Sequence, residues 1–87
     1  MEVIKTNIPG LLEIVPNVFE DDRGYFYESF NKEIYQGIGI KLSFVQDNQS
    51  LSHTGVLRGL HFQNPPYAQG KLVRVVTGAV LDVVLDI

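Results

Sequence analysis

An apolar, strand-forming run, Val56-Leu57-Arg58-Gly59-Leu60-His61-Phe62-Gln63, carries an arginine, a glycine and a histidine within four positions. A run of this kind reads as a buried strand, where charged groups are costly unless they are paired or put to use. Side chains in an ideal strand alternate, so Arg58 and His61 point to opposite faces. Gly59 lies between them, and a glycine inside a strand often marks a bulge that re-aims a side chain. The expectation is that Gly59 bends the strand and lets both residues enter one cavity. A histidine held beside a fixed positive charge inside an apolar barrel is a candidate base for proton transfer.

The rest of the chain is read in the same terms. Leu11 to Val18 is apolar with Pro16 near its end, which suits an edge strand. Phe19 to Gly24 is a polar turn, with Gly24 free to take positive φ. Tyr25 to Phe30 alternates, placing Phe26, Glu28 and Phe30 on one face. Asn31 is a fair N-cap for a short helix through Ile34, Tyr35 and Ile38, ended by Gly37 or Gly39. Ile40 to Gln46 returns to strand character and Leu51 to Gly55 is a loop. Asn64 to Gly70, with its two adjacent prolines, is a connection. Lys71 to Val76 and Ala79 to Ile87 read as strands joined at Thr77-Gly78. A two-residue hairpin there sets Lys71 against Val84 and brings Lys71 diagonal to Asp82. Many strands, short turns and one small helix point to an antiparallel β-sandwich or jelly-roll barrel.

At 87 residues and a net charge of -3, the chain is read as one small domain, with no pull toward nucleic acid or an anionic membrane. There are no cysteines, so disulfides and thiolate metal sites are excluded. Met1 to Gly10 lacks the basic and apolar regions of a signal peptide, and no stretch is long enough to form a transmembrane helix. The expected compartment is the cytoplasm. The strand-like run Val80 to Ile87 has no polar closing segment, which reads as the front part of a larger domain or of one completed by another subunit.

Four segments carry a resemblance: Asp22 to Phe30, Phe44 to Asn48, Leu57 to Gln63, and Gln69 to Val75. In this order and spacing the chain resembles the dTDP-4-dehydrorhamnose 3,5-epimerases of the cupin superfamily, over nearly its whole length. The resemblance implies an all-β fold, a metal-free cupin-type jelly roll of which residues 1–87 form the N-terminal part. It implies a homodimer that exchanges N-terminal strands, and no cofactor. The implied substrate is dTDP-4-dehydro-6-deoxy-D-glucose, inverted at C3 and C5 to give dTDP-4-dehydro-L-rhamnose. By similarity His61 takes the proton from carbon, while Lys71 and Arg58 face the sugar and its keto oxygen. Arg23, Glu28 and the Gln46-Asp47-Asn48 stretch sit against the nucleotide, some of them from the partner subunit. The family's tyrosine proton donor and the carboxylate supporting its histidine belong to the later half of its domain. Tyr25, Tyr27, Tyr35 and Tyr67 fall in other motifs.

The chemistry asks for these residue types. A proton beside a ketone is weakly acidic, and a base with a pKa near neutrality, about 6.5 for histidine, is well matched to removing it. Negative charge then develops on the ketone oxygen, where a fixed cation such as Lys71 stabilises the enolate. Arg58 suits the same task and also disfavours a second positive charge on His61. Each residue has a plainer reading as well. Arg58 alone reads as the partner of Asp82 in a structural ion pair, Lys71 as a solvated strand start, His53 as a loop residue, and Phe26 and Phe30 as core. With only His53 and His61 present and no His-x-His pair, a metal site is not expected. The rival functions are a cupin module that binds sugar nucleotide without turning it over, and an epimerase inverting a single carbon of another deoxysugar.

Overall fold

The structure is a computed structural model that describes residues 1–87. It divides into two units, Met1–Lys41 with Val83–Ile87, and Leu42–Asp82. All regular secondary structure lies in the first.

Strand β1 (Glu2–Lys5) pairs antiparallel with β2 (Leu12–Val15), Val3 opposite Ile14 and Lys5 opposite Leu12. The alternation expected of a half-covered strand is present in β2, where Leu12 and Ile14 are half-buried while Glu13 and Val15 are exposed. The loop between the strands is closed by the Thr6 hydroxyl. It lies 3.1 and 2.9 Å from the carbonyls of Ile8 and Leu11 and accepts the Ile8 N–H at 3.2 Å. Strand β2 is part of the expected Leu11–Val18 edge strand. Strand β1 has no clear signature in the sequence, because the segment Glu-Val-Ile-Lys has only two apolar residues and no alternation.

Strands β3 (Phe19–Asp21) and β4 (Gly24–Phe26) form a tight antiparallel hairpin, with Phe19 opposite Phe26 and Glu20 opposite Tyr25. This corrects the reading of Phe19 to Gly24 as a turn throughout, since the turn shrinks to Asp22-Arg23. The Asp21 carboxylate explains why. Its Oδ1 accepts the Arg23 backbone N–H at 2.8 Å, locking the bend locally. Gly24 leaves the turn at φ +131°, a backbone conformation that favours glycine.

Helix α1 (Lys32–Gly37) starts where the sequence places it, with Asn31 Oδ1 accepting the Ile34 N–H at 3.1 Å. It ends in a left-handed turn at Gly39 (φ +99°). There the Gly39 N–H donates to Gln36 O at 3.1 Å and the Ile40 N–H to Tyr35 O at 2.9 Å. Tyr35 is the one buried residue of the chain. Its ring meets Phe30 edge-on at 5.0 Å and its hydroxyl donates to Ser29 O at 3.0 Å.

The regular elements are thus antiparallel strands and one short helix, the pattern expected of an all-β chain. Four expected strands do not form: Ile40 to Gln46, Val56 to Gln63, Lys71 to Val76 and Ala79 to Ile87. Strand character in a sequence supplies only half of a ladder, and the other half is a hydrogen-bonded neighbour. The backbone bonds of this region instead close turns, Val56 N–H to His53 O at 3.2 Å and Tyr67 N–H to Asn64 O at 2.8 Å. Gly78 takes the positive φ of a turn, +89°, yet the hairpin pairing Lys71 with Val84 is not made. Every residue from Val45 to Ile87 is exposed.

Candidate functional site

The first unit brings two of the expected site residues to surface recesses. Arg23 lines one of about 520 Å³ together with Phe19, Asp21, Tyr25 and Phe26. Glu28 lines another of about 250 Å³ with Met1, Asn31, Ile34 and Tyr35, and the two recesses share Phe19 and Phe26. The β3–β4 turn aims Arg23. Its guanidinium donates through Nη2 and Nε to Asp21 Oδ2, at 2.6 and 3.1 Å. That ion pair, with the backbone N–H on the other oxygen, holds the Asp21 carboxyl below the usual carboxylate range. The same pair raises Arg23. Burial pushes the Tyr35 phenol up, and the nearby Glu28 charge adds to it.

The aromatic side chains of this hairpin were not expected at a site. Phe26 was read as core, yet it is 69 % exposed, and Phe19 and Tyr25 are comparably open. Tyr25 stacks on Tyr27, ring centroids 6.0 Å apart. The signal was available in the sequence, because a two-residue turn sends Phe19 and Phe26 to the same face as a cross-strand pair. Phe30, also read as core, is exposed instead, though its ring meets the buried Tyr35 edge-on.

In the second unit Gln46 and Asn48 come together, the Gln46 amide donating to Asn48 Oδ1 at 3.4 Å, with Asp47 exposed between them. Arg58 does not pair with Asp82. Its Nε donates to Ser52 Oγ at 2.8 Å and its Nη2 to Leu51 O at 3.4 Å. A partner six residues away needs only a short loop, whereas Asp82 requires the strand pairing that is not made. His61, Lys71 and Asp82 are exposed, and neither recess contains them. No three His, Asp or Glu side chains gather closely enough to hold a metal ion. No helix is long and apolar enough to cross a membrane.

Comparison with known proteins decides the lineage. The dTDP-4-dehydrorhamnose 3,5-epimerase family matches residues 5–87. The chain belongs to that family. It is 59 % identical over its whole length to the dTDP-4-dehydrorhamnose 3,5-epimerase of Shigella flexneri and 58 % identical to that of Escherichia coli K12. It is also 54 % identical, over 97 % of its length, to the dTDP-4-dehydrorhamnose 3,5-epimerase of Methanothermobacter thermautotrophicus. These alignments cover 49 %, 48 % and 45 % of the respective relatives, so the chain spans about half the length of the curated epimerases it matches. No solved structure matches. The matched span, residues 5–87, contains the positions of Arg23, Glu28, Gln46, Asp47, Asn48, Arg58, His61, Lys71 and Asp82.

Proposed function

We propose that this chain supplies the base and the substrate-contacting cations of an epimerase that inverts C3 and C5 of dTDP-4-dehydro-6-deoxy-D-glucose. The observation carrying this reading is the match to the epimerase family over residues 5–87, a span within which all the candidate positions fall. His61 removes the proton beside the ketone, and Lys71 with Arg58 stabilises the enolate oxygen. The roles are complementary, since a neutral imidazole accepts a proton while a fixed cation takes up the charge left on the substrate. Arg23, with the aromatic side chains around it, and Glu28 meet the nucleotide, helped by Gln46, Asp47 and Asn48. The exposed aromatic faces of the β3–β4 hairpin beside a guanidinium support this assignment, because a base stacks on a ring and a phosphate pairs with arginine. The working assembly is a cupin-type jelly roll and a homodimer in which N-terminal strands are exchanged. In that state β1 leaves its partner β2 for another subunit.

The test is deuterium wash-in at C3 and C5 of the 4-keto sugar, followed by NMR in D₂O with the natural protein that carries this sequence. Wash-in that falls on the order of 10²- to 10⁴-fold in His61→Asn supports the base assignment. Undiminished wash-in in that variant removes His61 from the reaction. Binding of thymidine diphosphate with no wash-in in the parent protein replaces catalysis with sugar-nucleotide binding alone. Wash-in at only one carbon identifies a single-carbon epimerase.

A further inference from the structure

Ser52 and Arg58 meet because the chain between them turns back on itself. The Val56 N–H donates to His53 O at 3.2 Å, and Gly55, at the third place of that turn, takes φ +88°. A positive φ at this place is what a type II turn asks of glycine. The turn carries Arg58 back alongside Leu51 and Ser52. Its Nε donates to Ser52 Oγ at 2.8 Å and its Nη2 to Leu51 O at 3.4 Å.

The donors of a guanidinium lie in one plane as a rigid fork. Holding it by Nε and Nη2 fixes that plane and occupies one edge, while the two N–H groups of Nη1 stay available to an incoming oxygen. Both acceptors are also uncharged. Arg23 is the contrast, since Asp21 holds it through the same two nitrogens but as an ion pair. A carboxylate that close cancels much of an arginine's field. A hydroxyl and a carbonyl orient the cation and leave its charge in place.

We infer that Ser52 is a positioning residue for Arg58, one whose hydroxyl aims the guanidinium without neutralising it. This role rests on the proposed reading of Arg58 as a cation facing the keto oxygen. An oxygen that gains negative charge as a proton leaves is stabilised best by a cation already aimed and not already paired. Serine at position 52 meets both needs. Alanine gives up the aim, and aspartate keeps the aim but gives up the charge.

The test is deuterium wash-in at saturating 4-keto sugar, with the natural protein that carries this sequence. Ser52→Ala is expected to slow wash-in about fivefold, the loss of one hydrogen bond, and Ser52→Thr to restore most of it. Ser52→Asp keeps an acceptor for Nε, yet is expected to slow wash-in more than Ser52→Ala does. In an Arg58→Gln background, itself slow, Ser52→Ala is expected to add less than about twofold, because no guanidinium is left to aim. Three results overturn the role of Ser52 and leave that of Arg58 standing. One is wash-in in Ser52→Ala as fast as the parent's. Another is an equal loss from Ser52→Ala with and without Arg58, which makes the serine a structural residue. The third is wash-in in Ser52→Asp as fast as the parent's, which makes the neutrality of its acceptors irrelevant. Undiminished wash-in in Arg58→Gln, or none in the parent, removes the reading of Arg58 and the role of Ser52 with it.

Discussion

Met1–Lys41 and Leu42–Asp82 are both rich in strand-forming residues, yet only the first builds ladders. The difference is how far each segment must reach for a partner. Strands β3 and β4 are joined by two residues and β1 and β2 by six, so closing either loop costs little. Helix α1, six residues long, is far below the length at which an isolated helix is stable, but both its ends are capped and Tyr35 anchors it. In Leu42–Asp82 the strand-like runs are separated by turn-rich loops and pair in no ladder. Apolar residues with β propensity are common to both regions, and order follows only where a partner is local.

This contrast is broken most directly by exchanging a residue on each side of it. Tyr35→Ala removes the buried ring, its contact with Phe30 and its bond to Ser29, and is expected to cost about 3 kcal/mol. Leu57→Ala, at a side chain that is 95 % exposed, is expected to change stability by less than about 0.5 kcal/mol. Denaturant titration of the two variants, followed by amide exchange across Lys32–Gly37, measures both. Equal losses would erase the distinction between the regions.

A smaller effect sharpens it. Asn31→Ala deletes the side-chain acceptor for the Ile34 N–H and is expected to cost about 1 kcal/mol, with fraying at Lys32 and Glu33 first. Asn31→Ser is expected to restore most of the loss. Helical circular dichroism and the Ile34 amide shift report on both.

The smallest effect is a response to acid. The folded-state pKa of Asp21 is lowered by Arg23, so its contribution is present above the ordinary carboxylate value of about 3.9 and is lost as the pH falls through the lowered value. Near-neutral pH therefore leaves the β3–β4 turn intact, and acidification releases Arg23. The Arg23 Nε–H resonance, followed from pH 6 downward, is expected to move with the Asp21 carboxyl carbon in a single titration. The Asp21→Asn variant is expected to show no such titration at Arg23.

Features set by near neighbours were legible in the sequence. Asn31 and Gly39 mark the helix because capping is a matter of a few residues, and Leu12 and Ile14 mark a strand by their alternation. Features set by distant neighbours were not. Val56 to Gln63 has every property of a strand except a partner, and partnership is not a property of the run itself. Arg58 illustrates the point at one side chain, since the ion pair read between Arg58 and Asp82 gives way to Ser52, six positions off. Arg23 and Glu28 were legible as candidates through the family motif, whereas the aromatic surroundings of Arg23 depend on the hairpin register that sets Phe19 beside Phe26.

The clasp between Asp21 and Arg23 carries a consequence for selectivity. Any anion that recruits this guanidinium must first compete with a carboxylate tethered two residues away. A monovalent ion such as chloride gains little over that internal rival, and a diphosphate outbids it by charge and by offering paired oxygens. Under the proposed role of Arg23 at the nucleotide, the turn would favour a multiply charged group over a single ion.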